Sequence, residues 1–380
     1  MISNFDIDLF LKDYWQQKPL LIKSAFPGYQ CPVDANELAG LACEEEVESR
    51  IISELKQPSY WKLENGPFPE SRFSTLPESH WTLLVQGVDK LIPEFKQLLN
   101  DFSFIPSWRL DDIMVSYAPV SGSVGPHIDQ YDVFLLQAQG QRNWKINTHS
   151  YSKDDFIKDI PINVLNNFTA ESEWTLSPGD MLYLPPGVAH YGIALDDCIT
   201  ISVGFRSPSH AELLTSFIDD LVPTLDESLR FQDPNLNLTE NPGEISNEAL
   251  NNIKTILSGY LSDDIALKKW FGRFITEYMH DAEHDDRQEN NADITRLLTD
   301  HARIIRDPYM RINYIEDMDT FLLFINGELV TTEDNPQVHY LARSISNSHE
   351  LVTDDIKDYL NETSLQFLQY LYDEGYIYID

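Results

Sequence analysis

Cysteine is scarce: the 380 residues hold three, Cys31, Cys43 and Cys198, none in Cys-x-x-Cys spacing. That excludes a zinc ribbon or a disulfide framework and points to a reducing compartment. Basic residues are also few, 27 Lys and Arg against 62 Asp and Glu, for a formal net charge of −35. Such a chain repels phosphate backbones and anionic lipid, so neither nucleic acid nor a membrane is the expected partner, whereas a basic protein is attracted. No apolar run approaches the roughly 20 residues that cross a bilayer. The opening Met1–Asp8 carries acids where a signal peptide has basic residues, so a cytoplasmic location is expected.

What remains is a globular composition, 42% hydrophobic and 12% aromatic, long enough for two or three domains. Residues 1 to about 100 read as mixed structure. Phe10, Tyr14 and Trp15 share one side of a short helix, Lys18–Ile22 is a strand, and Leu91–Leu99 is a helix with Pro93 in its first turn. From Trp108 to Arg206 the texture is all strand: 113–117, 131–137, 141–146, 173–176, 181–184 and 199–205, separated by Gly and Pro turns. That pattern predicts a sandwich or barrel. At Ser209 a capping box with Glu212 opens the first of three amphipathic helices, the others carrying Leu250–Leu261 and Ile265–Ile275. An acidic stretch, Asp281–Asp286, reads as a solvated linker. Asn326-Gly327 then predicts a type I′ hairpin, and a helix over Ser364–Tyr372 precedes a last strand, a pattern like a winged helix.

The chemistry is concentrated in two segments. In Gly125-Pro126-His127-Ile128-Asp129, His127 and Asp129 stand at i and i+2, which a strand points to one face. Downstream, Pro185-Pro186-Gly187 makes a tight turn that presents His190. Two histidines and a carboxylate form the facial triad of non-haem Fe(II) oxygenases, with positions open for a chelating 2-oxo acid and O2. Zinc with the same ligands is the rival. A 2-oxo diacid also needs a cation for its far carboxylate. Arg142, one hairpin after His127, is suited to bidentate binding, whereas Lys145 falls on the opposite strand face. Ser116 can add a hydroxyl. The other histidines show no ligand pattern: His149 falls in a loop, His210 in a helical first turn, and the i, i+4 pair His280 and His284 in the charged linker.

At these residues the chain resembles the JmjC-type 2-oxoglutarate oxygenases, and within them the bacterial ribosomal oxygenases that hydroxylate an arginine of a large-subunit ribosomal protein. The resemblance is carried by Gly125–Phe134 and Leu184–Gly192 and extends to the opening Tyr14–Ile22. It implies an α+β chain: a JmjC/cupin oxygenase domain over 1–207 whose double-stranded β-helix (cupin/JmjC barrel) spans about 108–206, a helical dimerisation segment over 208–280, and a winged-helix-like domain over 290–380. It also implies Fe(II) on His127, Asp129 and His190, 2-oxoglutarate held by Arg142 with Ser116, and O2 as the second co-substrate. The expected partners are a basic ribosomal protein and a second copy of the chain. Arginine at 142, where many JmjC relatives have lysine, fits the bacterial branch. An acidic residue is expected on the substrate guanidinium, with Asp132 as candidate. Related enzymes hydroxylate histidine, and a non-catalytic cupin-like adaptor or a zinc isomerase or hydrolase are further readings of the same motif.

Overall fold

The computed structural model describes residues 2–380 except 56–59, 239–240, 278–291, 300 and 319. His280, His284 and the acidic run Asp281–Asp286 lie outside the described residues. Two compact units divide the chain, Met1–Ser207 and Pro208–Asp380.

The first unit has helices α1 (Ile7–Asp13), α2 (Ala35–Leu41), α3 (Glu70–Phe73), α4 (Val88–Leu91) and α5 (Phe95–Asn100). Its strands are β1 (Leu20–Ile22), β2 (Ser49–Leu55), β3 (Tyr60–Asn65), β4 (Trp81–Val85), β5 (Leu110–Ala118), β6 (His127–Ile128) and β7 (Asp132–Gln139). They continue with β8 (Arg142–Asn147), β9 (Ser172–Leu176), β10 (Met181–Leu184), β11 (Ala189–Ala194) and β12 (Cys198–Phe205). One antiparallel sheet runs β1-β10-β7-β12-β5-β4-β2-β3, and the other β6-β11-β8-β9. The barrel strands lie where hydrophobic patterning puts them. β7 explains the layering: Phe134, Leu136 and Ala138 join Phe10, Leu38 and Phe95 in a core under the helices. The alternate Val133 and Leu135 face the other way and pack with Trp144, Ile146 and Leu184 of the inner layer. A strand buried on both faces reads as a continuous apolar run, as here.

Two expectations for residues 1–100 are corrected. The segment Leu91–Leu99 is not one helix, because α4 closes at Leu91 and α5 opens only at Phe95, with Ile92 extended ahead of Pro93. Strands β2, β3 and β4 extend the large sheet beyond the barrel motif, where the sequence reads only as mixed structure.

The second unit holds α6 (His210–Leu221), α7 (Asn247–Leu261), α8 (Asp264–Thr276), α9 (Ile294–Leu297), α10 (Pro336–Asn347), α11 (Thr353–Ile356) and α12 (Glu362–Asp373). Its strands are β13 (Arg303–Arg306), β14 (Ile312–Asp317), β15 (Thr320–Ile325), β16 (Glu328–Val330), β17 (Glu350–Val352) and β18 (Ile377–Ile379). They form two small sheets, β17-β13-β18 and β14-β15-β16. The capping box is present: Ser209 Oγ accepts from the Glu212 N–H, and the Glu212 carboxylate from the Ser209 N–H. Asn326 (φ 45°) and Gly327 (φ 87°) both take the left-handed conformation that a type I′ turn requires. Leu323, Ile325, Leu341, Ile345 and Leu368 build this unit's core. Helix α8 packs tightly on β15, where Gly272 lies so near the Phe324 ring that a β-carbon would clash. Helix α7 buries no side chain, and its Leu250, Ile253, Leu257 and Leu261 are all exposed. No described helix is long and apolar enough to cross a membrane.

Candidate active site

Strand β6 is only two residues long, so His127 is in a strand but Asp129 lies just beyond it. The i, i+2 argument therefore holds for the facing of the two side chains but not for a shared strand. β6 pairs with β11 so that His127 and His190 are register partners. Their ring centroids stand 4.1 Å apart. Asp129 Oδ2 lies 3.7 Å from His127 Nε2 and 3.5 Å from His190 Nε2. The Pro185-Pro186-Gly187 turn is tied to the triad, for the Gly187 N–H donates to the Asp129 carbonyl at 2.8 Å. Gly187 has φ 82°, which a side chain would strain.

The donor set fits a metal. His127 Nδ1 stands 2.9 Å from the Gly125 carbonyl and His190 Nδ1 3.0 Å from the Val188 carbonyl. Each carbonyl accepts an Nδ1 proton, which leaves Nε2 as the lone-pair donor on both rings. Burial, with His127 beside it, pushes the His190 imidazole down to about 4, so it stays the neutral base a metal requires. Among the described residues these three are the one group of metal-ligating side chains whose donor atoms all lie within 4.8 Å of one another.

The triad opens into a cavity of about 460 Å³ between the two sheets, which also takes in Arg142 and Ser116. Arg142 is 5% exposed. Its Nη1 donates to Thr200 Oγ1 at 3.2 Å and to Ser116 Oγ at 3.4 Å, and the Thr200 hydroxyl donates to Gln137 Oε1 at 3.1 Å. Burial lowers its pKa, and no carboxylate pairs with it among the described residues. A buried guanidinium held only by neutral hydroxyls is costly unless an anion joins it. Four buried side-chain polar atoms lack a hydrogen-bond partner among the described residues, and three of them, Arg142 Nε, Trp144 Nε1 and Thr82 Oγ1, belong to residues that line this cavity.

At another stretch of the wall, strand alternation brings Asp112 to the face of Ser116, with Met114 between them. Asp112 is 8% exposed and its Oδ2 accepts the Gly87 N–H at 2.8 Å. Burial, reinforced by Asp89 and Asp111, raises its pKa to about 6. Asp132, by contrast, does not line the cavity. It is fully buried, accepting from Tyr183 Oη (2.6 Å), Gln16 Nε2 (2.8 Å) and Arg109 Nη2 (3.0 Å), so its oxygens serve the protein interior. Lys145 is absent from the cavity lining. His149 sits at the surface against Asn147 and Glu171, and His210 opens α6 in the other unit. Thr200 and Asp112 escape a reading by motif because both arrive through strand pairing; only the 112/114/116 alternation could have flagged Asp112.

The JmjC domain family matches residues 97–213, and the ROXA-like winged helix family residues 259–378. Over 98% of its length the chain is 31% identical to the ribosomal protein uL16 3-hydroxylase of Escherichia coli, covering 97% of that protein. The chain belongs to the JmjC-domain 2-oxoglutarate oxygenases, in their ribosomal-oxygenase branch. The oxygenase is also 31% identical to a probable ribosomal oxygenase of Haemophilus influenzae, over 94% of this chain and 89% of that one. Its fold superposes on the E. coli ribosomal oxygenase YcfD with a TM-score of 0.88 at 29% identity, covering 100% of this chain and 99% of the other. YcfD solved with cobalt and 2-oxoglutarate gives a TM-score of 0.84 at 28% identity and the same coverage.

Proposed function

We propose that this oxygenase uses Fe(II) on His127, Asp129 and His190 to hydroxylate an arginine side chain of a large-subunit ribosomal protein, the class to which the relative's uL16 belongs. The observation that carries the reading is the buried Arg142, which no acid among the described residues neutralises and which shares one cavity with the three metal ligands. When bound, Fe(II) and 2-oxoglutarate supply oxidative decarboxylation and the delivery of one oxygen atom of O2 to a carbon–hydrogen bond. The chain does the rest. Arg142, positioned by Thr200 and Ser116, takes the far carboxylate of the co-substrate and so fixes which end meets the triad. The Gly125 and Val188 carbonyls orient the imidazoles.

Asp112 supports arginine over histidine as the target. A buried carboxylate on the cavity wall is suited to a guanidinium, whose fixed charge and paired N–H groups match two oxygens. The net charge of −35 favours encounter with a basic protein. A ribosomal substrate implies the cytoplasm as the compartment. The exposed apolar side chains of α6 and α7, among them Leu214, Ile218, Ile253 and Leu257, support a homodimer built on those helices.

Mass spectrometry of ribosomal proteins from cells with and without the gene tests the substrate. One added oxygen atom on an arginine, lost in the deletion, is expected. Oxygen on a histidine instead favours the histidine hydroxylases, and an unchanged ribosomal proteome overturns the substrate assignment.

A further inference from the structure

The unpartnered polar atoms of the cavity are more numerous than Arg142 alone explains. Thr82 is completely buried, yet its hydroxyl has no partner among the described residues. Native interiors avoid leaving a buried hydroxyl unbonded unless something else completes the bond. Its position says what completes it. On β4, Leu84 pairs with Ser116 of β5, and Ser116 pairs with Thr200 of β12. Thr82, two residues before Leu84 on the same strand face, is thus one step diagonal from Ser116, at the Arg142 end of the cavity.

Trp144 carries the second orphan. Its ring lies 5.5 Å from the Arg142 guanidinium carbon and 5.8 Å from the His190 ring, between the anion-binding end and the metal ligands. The ring is 4% exposed and pressed against Gly192, where a β-carbon would come within 2.7 Å of it. Gly192 therefore gives the indole room to sit at this depth, and Trp144 is among the residues that line the cavity.

We infer that Thr82 and Trp144 are further co-substrate-binding residues, each donating a hydrogen bond to an oxygen of a 2-oxo dicarboxylate, Thr82 at the carboxylate held by Arg142. The inference rests on the reading of this cavity as the 2-oxoglutarate site. It makes Thr82 a specificity device: a shorter 2-oxo acid lacks the oxygens that its hydroxyl and Arg142 hold.

The test uses the full-length protein loaded with Zn(II), which binds such ligands without turning over. Thr82→Val removes an unbonded hydroxyl at nearly constant volume, so the ligand-free protein is expected to melt at the wild-type temperature or above it. Calorimetric titration should show 2-oxoglutarate binding weakened roughly tenfold, the scale of one lost hydrogen bond to a charged group. Thr82→Ser should bind near the wild-type value. Pyruvate, without the far carboxylate, should bind wild type and Thr82→Val alike. In an indole-labelled NMR spectrum the Trp144 N–H resonance, assigned with Trp144→Phe, should move downfield on adding 2-oxoglutarate. Wild-type binding by Thr82→Val, or a Trp144 resonance that does not move, overturns the inference for that residue. Failure of the wild-type protein itself to bind 2-oxoglutarate overturns the cavity reading instead.

Discussion

His127 and His190 face each other as register partners across β6 and β11, and each commits Nδ1 to the carbonyl two residues before it. The symmetry has a backbone origin. In both segments the chain turns at a Gly-containing sequence just ahead of the strand, so the carbonyl at i−2 falls within hydrogen-bond reach of Nδ1. Two rings are thereby fixed in the same tautomer and aimed at the point Asp129 also faces.

On the proposed reading, Arg142 sets affinity for the co-substrate. Arg142→Met is expected to abolish 2-oxoglutarate turnover. Arg142→Lys keeps a charge but not the planar fork, and should raise KM for 2-oxoglutarate roughly tenfold or more. Steady-state kinetics on both variants check this, and an unchanged KM in Arg142→Lys contradicts the assignment.

If Asp112 holds the substrate guanidinium, activity falls in acid. Its pKa is raised to about 6 by burial, Asp89 and Asp111, with the Gly87 N–H and Lys90 pulling the other way. As pH falls through that value the carboxylate is protonated and loses its attraction for a guanidinium, so kcat/KM for the protein substrate should fall with a midpoint near it. Asp112→Asn should lower kcat/KM at neutral pH and erase that limb. The sign for stability is opposite. The folded protein holds the proton more tightly than the unfolded chain, so stability declines as pH rises from the ordinary carboxylate range to the raised value. Asp112→Asn should accordingly melt higher at neutral pH.

The apolar stripe of α7 predicts a solution dimer. Ile253 is 44% and Leu257 57% exposed, one turn apart on the same face. Ile253→Asp with Leu257→Asp should shift the sedimenting species from dimer to monomer. A wild-type protein that sediments as a monomer at all concentrations contradicts the reading.

Asp132 belongs to stability, not to substrate. Removing it strands Arg109, 15% exposed in its side chain, and frees Tyr183 and Gln16. Asp132→Ala should cost about 3–5 kcal/mol, the scale for breaking a buried pair from one side. Denaturant melts measure this. A loss of substrate affinity with unchanged stability would reverse the assignment.

The contrast between Asp132 and Asp112 shows what the sequence discloses. The triad was legible because its ligand types and the Gly and Pro turns around them are local. So were the barrel strands, which announce themselves by alternation, and the Asn326-Gly327 hairpin, which needs only two residues. Asp132 lies next to the metal motif in sequence, but strand β7 turns it toward Arg109 and Tyr183. Asp112 lies far from the motif, and β5 carries it onto the cavity wall. Thr200 reaches Arg142 only through the register of β12 on β5. Such juxtapositions are set by pairing between distant strands, which local patterning does not encode. Strands β2 to β4 were obscured similarly, being short runs among charged and turn residues that gain their meaning from the sheet they extend.

The proposed Fe(II) site couples 2-oxoglutarate to hydroxylation of a ribosomal protein. The most direct measurement incubates the Fe(II)-loaded protein with 2-oxoglutarate, O2 and purified large-subunit ribosomal proteins, and quantifies succinate together with peptide masses. One succinate for each oxygen atom gained by a single arginine is expected, and none of either with His190→Ala. Succinate absent under every condition with Fe(II) supplied would contradict the proposed coupling.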